Sequence, residues 1–258
     1  MWKNELQVAI RAALAAKEKI LEIYSQPIEV EIKEDDSPVT LADKVADLTI
    51  RDVLGSAFPT HAFLTEETID DKKRLTNDYV WIVDPIDGTK DFIAKNDEFT
   101  TCIALSYKHE IVVGVVLVPA TGELYFATKD GGAFYQKKNR IKKIRVNDKT
   151  KNLIVLTSRF HVNEKELDLI QKHHKLIKKR QTFGSSLKAC RIAQGLAEIT
   201  YRLSDGTKEW DTAASQIIVL EAGGLFLKLN GEMITYNRTD VRNIGGYIVV
   251  NRKENILL

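Results

Sequence analysis

Asp84 and Asp87 stand three residues apart at the end of an apolar run, Val80-Trp-Ile-Val-Asp-Pro-Ile-Asp-Gly-Thr89. Carboxylates this close repel each other and resist burial unless a cation lies between them. Gly88 and Thr89 follow with an exposed turn backbone and a hydroxyl. Together these residues predict a turn that binds a metal ion and a phosphate group. Further acids stand where secondary structure would present them to the same cleft: Glu66 and Glu67 after the apolar AFLT, Asp211 after Trp210, and Asp43 near a predicted helix start. Hard oxygen ligands with no His or Cys among them suit Mg²⁺ rather than Zn²⁺. Taken singly, some have plainer uses: Asp211 before TAAS reads as a helix N-cap worth ~1 kcal/mol, and Glu66-Glu67 as solvated loop charges. Asp84 and Asp87 resist that reading because a Trp-Ile-Val strand leads straight into them. The joint pattern carries the metal site.

The elements that must position these acids are legible from periodicity. Over residues 3–25, Leu6, Ile10, Ala13, Leu14, Lys17, Leu21 and Tyr24 recur at three-to-four spacing and predict an amphipathic helix. A polar segment, Lys33-Glu-Asp-Asp-Ser-Pro38, precedes a second helix with Thr40 as N-cap and Asp43 in its first turn, ending near Gly55. Residues 99–135 alternate β-rich runs with turn signals (FTTCIALSY, IVVGVVLV, ELYFAT, GAFY), which predicts an antiparallel meander. After about residue 147 strands and helices alternate: NLIVLTS, a helix over 163–174 capped by Asn163, a helix over 185–197, EITYRL, DTAASQIIVLEAGG and GYIVVN. The expectation is an α+β subdomain over 1–147 with the antiparallel sheet and metal motifs, and an α/β subdomain over 148–258.

Composition narrows the class. The 258 residues are 44% hydrophobic and 29% charged, ordinary for a soluble globular protein with ample core. A net charge of +2 argues for neither a nucleic-acid polymer nor a membrane as partner. The basic runs KRLTN at 73–77 and KKNRIKKIR at 137–145 read as solvated surface. Cys102 and Cys190 lie in apolar stretches without CxxC spacing, as expected of buried free thiols in a reducing cytoplasm. The N-terminal stretch carries Glu5 and repeated charges, so it matches neither a signal peptide nor an integral membrane segment. The expected location is cytoplasmic.

Glu66-Glu67, then Asp84-Pro-Ile-Asp-Gly-Thr89, then Trp210-Asp211-Thr-Ala-Ala214, with Ser37-Pro-Val-Thr-x-Ala-Asp43 before them, resembles the inositol monophosphatase-like, Mg²⁺-dependent, lithium-sensitive phosphatases. The resemblance spans about residues 30–225. It implies an αβαβα layered sandwich, mixing α+β and α/β halves, with the active site between two subdomains. Within that family SPVTLAD, DGTKDF, Ser158-Arg159-x-His161, Gly184-Ser-Ser-Leu-Lys188 and Arg202 in TYRL are similar to the 3′(2′),5′-bisphosphate nucleotidases. Those hydrolyse the 3′-phosphate of adenosine 3′,5′-bisphosphate to leave AMP. Two positions depart from the family pattern: Thr68 replaces a frequent acid after the Glu pair, and Ser215 replaces the usual glycine in WDTAAS.

The resemblance also implies roles. Glu66, Asp84 and the Ile86 carbonyl would hold one Mg²⁺, and Asp84, Asp87 and Asp211 a second, with a third ion near Glu66 in some members. Water would be the nucleophile, oriented and deprotonated by Thr89 paired with Asp43, with Glu66 counted among the catalytic groups. The Gly88 and Thr89 amides would face phosphate oxygens. Ser185, Lys188, Arg202 and His161 would bind the rest of the substrate, a small phosphate ester of bisphosphonucleotide type. A haloacid-dehalogenase-type aspartyl-phosphate is excluded because Pro85 occupies the position of the nucleophilic Asp in DxDGT. Two other readings stand beside this one: an inositol monophosphatase or broad sugar-phosphate phosphatase, and a non-catalytic nucleotide- or phosphate-binding protein.

Overall fold

The computed structural model describes residues 1–33 and 38–258; Ser37 and the rest of the acidic segment 34–37 lie outside them. Helix α1 (Lys3–Tyr24) opens the chain. Its buried stripe is Val8, Ala9, Ala12, Ala13, Ala16 and Ile20, whereas Leu14 is 43% exposed. The buried face is therefore rotated from the one expected from the largest apolar residues. Alanines line it because α1 packs closely on helix α2 (Leu41–Ala57), and small side chains let two helices approach. The short strands β1 (Val30–Ile32) and β2 (Pro38–Thr40) pair antiparallel before α2.

A seven-stranded sheet follows in sequential order: β3 (Ala62–Thr65), β4 (Tyr79–Asp87), β5 (Thr100–Tyr107), β6 (Glu110–Val118), β7 (Glu123–Thr128), β8 (Gly132–Lys137) and β9 (Arg140–Ile144). Only β3 and β4 run parallel; the rest is the expected meander. The basic run 137–145 supplies β9, an edge strand exposed over most of its length, in keeping with a solvated surface. Helix α3 (Thr89–Ile93) is a single short turn between β4 and β5.

The second half begins with β10 (Leu153–Ser158), helix α4 (Glu164–Lys172) capped by Asn163, β11 (Ile177–Phe183), helix α5 (Leu187–Ala193), β12 (Ile199–Arg202), helix α6 (Glu209–Glu221), β13 (Leu225–Lys228) and β14 (Tyr247–Val250). Its five strands order as β11-β10-β12-β14-β13, parallel on one side and antiparallel on the other. Strand β11 reads IKKRQTF, with apolar residues only at its two ends, because it forms a sheet edge with most of its side chains in water.

The layers stack as α1/α2, seven-stranded sheet, α5/α6, five-stranded sheet and α4, which is the αβαβα sandwich. Trp81, Val83, Ile103 and Leu105 face the first helical layer. Val80, Ile82, Ala213 and Ile217 share the core under α6, which reaches Leu156, Phe226 and Val249 of the second sheet. Gly114 on β6 allows the tightest contact: a β-carbon there would lie 2.5 Å from the Ala214 carbonyl oxygen and 2.4 Å from Ile217 Cγ2. That close approach seats α6 on the sheet and sets the height of its N-terminus, where Asp211 sits. No helix among the described residues is long and apolar enough to cross a membrane.

Candidate active site

In a regular strand, residues three apart point to opposite faces. Strand β4 breaks that rule at the site. Asp84 is opposite Cys102 and Asp87 is opposite Thr100, so three steps along β4 match two along β5. The extra residue is a bulge, placed where Pro85 has no N–H to give the ladder. Because Cys102 and Thr100 share a face, the bulge brings Asp84 and Asp87 onto that same face. The Thr100 hydroxyl donates to Asp87 Oδ2 at 3.3 Å.

Asp211 arrives from α6. It is the third residue of that helix, and its Oδ2 accepts the Lys208 amide at 2.5 Å, so it caps the helix and faces the cleft at once. Asp84, Asp87 and Asp211 present carboxylate oxygens within 4.8 Å of one another. Glu66, one residue beyond β3, joins them in the cleft wall with Ile86. Lys33 bridges the glutamate pair, 3.2 Å from Glu66 Oε1 and 2.6 Å from Glu67 Oε1. Thr68 bonds elsewhere, donating to Asp47 Oδ2 at 3.0 Å and accepting from Arg51 at 2.8 Å. Ser215 spends its hydroxyl on the Thr212 carbonyl.

The electrostatics of this wall point to a cation. Both oxygens of the Asp84 carboxylate are buried and make no hydrogen bond among the described residues. Burial, then Glu66, Asp87, Asp211 and Asp43, hold its carboxyl well above the usual carboxylate range. Asp211 is pushed the same way by burial, Asp87 and Glu66. Burial raises Glu66 as well, against the pull of Lys33. Buried oxygens with no donor are rare in folded proteins, and a site of hard oxygen ligands with converging negative charge fits a divalent metal ion. The residues present therefore suit the cofactor that their pattern implies.

Asp43 does not line the cleft but stands behind it. Its Oδ2 accepts from the Thr40 amide at 2.8 Å and the Thr40 hydroxyl at 2.6 Å, which orients Oδ1 toward Thr89 Oγ1 at 3.3 Å. Burial raises the Asp43 carboxyl, offset by these Thr40 bonds. Thr89 opens α3, with Gly88 at the N-cap in the left-handed region at φ 93°. First-turn amides of a helix lack intrahelical partners and favour an anion.

The opposite wall is basic. His161, Ser185, Lys188 and Arg202 line the same cleft of about 440 Å³. The Arg202 guanidinium donates to the His161 carbonyl at 3.2 Å, and Lys188 Nζ to the Ser185 carbonyl at 2.7 Å. Lys90, which sequence reasoning passed over although it follows Thr89 in the motif, places Nζ 3.3 Å from His161 Nε2. Tyr247 of β14 also lines the cleft, and nothing in its local sequence marked it. The Ser185 hydroxyl is committed to the Glu98 carbonyl at 2.6 Å, and helix α5 starts later than expected, with Ser186 at its N-cap.

Partial burial, with Lys90, Arg202 and Lys188 nearby, pulls the His161 imidazole down to about 4. A neutral ring accepting from Lys90 follows. Nitrogen-15 spectra of the ligand-free protein at pH 6 are expected to show His161 unprotonated. An imidazolium with a midpoint near the ordinary value of about 6.5 would contradict the crowding of cations here.

The chain matches known proteins over nearly its whole length. Residues 1–256 match the model of the inositol monophosphatase family. The chain is 35% identical over 236 residues to the 3′(2′),5′-bisphosphate nucleotidase CysQ of Salmonella typhimurium, covering 90% of this chain and 93% of that one. It is 36% identical over 256 residues to the enzyme of the same name from Buchnera aphidicola, covering 96% and 94%. Among solved structures it is similar to CysQ from Bacteroides thetaiotaomicron, with a TM-score of 0.84, 34% identity and coverage of 98% and 99%. The Thermotoga maritima IMPase superposes with a TM-score of 0.81 at 26% identity, covering 96% and 92%.

Proposed function

The chain belongs to the inositol monophosphatase family, and from that premise we propose that it is a 3′(2′),5′-bisphosphate nucleotidase, a hydrolase that removes the 3′-phosphate of adenosine 3′,5′-bisphosphate. Its substrate is a small phosphate ester. The observation that supports this reading most is a cleft with two unlike walls: Asp84, with both buried oxygens lacking a hydrogen-bond donor among the described residues, on one side, and Lys188, Arg202 and Lys90 on the other. A simple sugar monophosphate gives the second wall nothing to neutralise. A bisphosphonucleotide carries a second dianion for it.

Glu66, Asp84 and the Ile86 carbonyl would hold one Mg²⁺, and Asp84, Asp87 and Asp211 a second. When bound, such ions lower the pKa of water and stabilise charge on the oxygens of an in-line phosphoryl displacement. The chain's own residues do the rest. Thr89 Oγ1 accepts a proton from the attacking water while its own hydroxyl proton passes to Asp43 Oδ1, the oxygen left free by Thr40. The Gly88–Thr89 backbone steadies the phosphate oxygens at the start of α3. Lys188 and Arg202 grip the phosphate that is not cleaved, and the neutral His161 ring, held by Lys90, closes the outer edge of that subsite.

Phosphate release across a panel of adenosine 3′,5′-bisphosphate, inositol 1-phosphate and a simple aryl phosphate tests this reading. Lys188→Ala and Arg202→Ala are expected to raise KM for the bisphosphate by tenfold or more, about 1.4 kcal/mol, and to leave KM for the aryl phosphate nearly unchanged. Equal effects on both substrates, or preference for inositol 1-phosphate, would overturn the specificity.

A further inference from the structure

Glu98 joins the two walls of the cleft, and the scheme above does not use it. It lies between α3 and β5, in the first half of the chain, with its side chain largely buried. Oε2 accepts from the Gly184 amide and from the Arg159 guanidinium, each at 2.8 Å. Its main-chain carbonyl accepts from the Ser185 hydroxyl at 2.6 Å. One residue thus pins the turn that leads into α5 by two bonds and the 158–161 segment by a third.

That turn has little freedom to settle elsewhere. A β-carbon on Gly184 would lie 2.5 Å from Asp91 Oδ2. Ser185 adopts a left-handed φ of 48°, a conformation that costs a non-glycine residue on the order of 1 kcal/mol and persists only where its surroundings enforce it. The strained placement has a consequence one residue later. The Ser186 amide donates to Asp87 Oδ2 at 2.6 Å, and the Ser186 hydroxyl donates to the Asp211 carbonyl at 3.0 Å. The Ser185 carbonyl receives Lys188 Nζ. Asp87, α6 and Lys188 are all referenced to one turn, and Glu98 anchors it.

We propose that Glu98 is a positioning residue: by fixing the 184–186 turn it aims the Ser186 N–H at Asp87 and holds Lys188 at the cleft, coupling cation affinity to substrate grip. The inference rests on the reading of Asp87 as a metal ligand. Asp87 Oδ2 is held by the Ser186 amide and the Thr100 hydroxyl, which fixes the carboxylate in the position where it presents an oxygen within 4.8 Å of those of Asp84 and Asp211. Outer partners of this kind set ligand orientation, and their loss weakens metal binding by about 10–100-fold.

Two variants separate geometry from charge. Glu98→Gln keeps an amide oxygen with two lone pairs for Gly184 and Arg159. Glu98→Asp keeps the charge but draws the carboxylate back by one methylene. Binding of Mn²⁺ to the protein, followed by electron paramagnetic resonance, is expected to weaken about tenfold in Glu98→Asp and to stay within about threefold of wild type in Glu98→Gln. KM for adenosine 3′,5′-bisphosphate should rise in the same order, with melting temperature recorded for each. Unchanged Mn²⁺ affinity in both variants, or the reverse order with Gln the weaker, would overturn the proposal. A wild-type protein that binds no Mn²⁺ would instead sink the metal reading, and the proposal with it.

Discussion

Replacing Asp84 by asparagine is expected to lower kcat/KM for adenosine 3′,5′-bisphosphate by about 1,000-fold or more, roughly 4 kcal/mol of transition-state stabilisation. The same change should leave the metal-free protein melting at or above the wild-type temperature. Both halves have one cause. Asp84 is buried beside Glu66, Asp87 and Asp211, with no hydrogen-bond donor to either oxygen among the described residues. Its charge is a burden on the fold unless a cation accepts it. Asparagine removes the burden and with it the shared ligand of both proposed ions. Asp87→Asn should also lose most activity while folding. Wild-type-like turnover in Asp84→Asn, or a melting point several degrees lower without metal, would refute this account.

Removing divalent cations should destabilise the protein, and more so as pH rises. The folded-state carboxyls of Asp84, Asp211, Glu66 and Asp43 all lie above the ordinary range, with burial the first cause in each. Without metal, the folded protein therefore holds protons that the unfolded chain releases near pH 4. Stability from these groups is fully present below that pH and is lost as pH rises through the raised folded values. A divalent ion binds the ionised cluster, so its stabilisation grows along the same axis. At pH 8 and a Mg²⁺ concentration 100-fold above its dissociation constant, each site adds about 2.7 kcal/mol. At about 2–4 °C per kcal/mol this is a rise of roughly 5–10 °C for each occupied site over the protein in chelator. Calorimetry at pH 5 should show a smaller gap. An equal shift at both pH values, or none at pH 8, would mean that the acids are not the cation's ligands.

Local pattern made much of this legible. The Trp-Ile-Val run into Asp84, the Thr40 cap with Asp43 in the next turn, and the meander over 99–135 all follow from short-range periodicity, and the structure carries them nearly where they were expected. Elements with no apolar alternation were not visible. Strand β11 with its IKKRQTF and strand β9 with its RIKKI are edges where most side chains meet water, so only their end residues Ile177, Phe183 and Ile144 reach the core and no alternating pattern develops. Helix α1 forms where its periodicity predicts, but its most buried face is set by close helix approach, which selects alanine over leucine there.

Residue types and order along the chain determined which groups could carry the chemistry: hard oxygen ligands, a threonine beside them, and the separate basic residues Lys188 and Arg202 far along the chain. Such choices are written locally, since each side chain's chemistry is its own. Tertiary structure alone decided how they converge. The bulge at Pro85 turned Asp84 and Asp87 to one face, the close seat of α6 on Gly114 brought Asp211 to them, and Lys33, Lys90 and Glu98 were recruited across long separations. Charges and hydrogen bonds act through space over a few ångströms, so their partners are set by packing and not by neighbours in the chain.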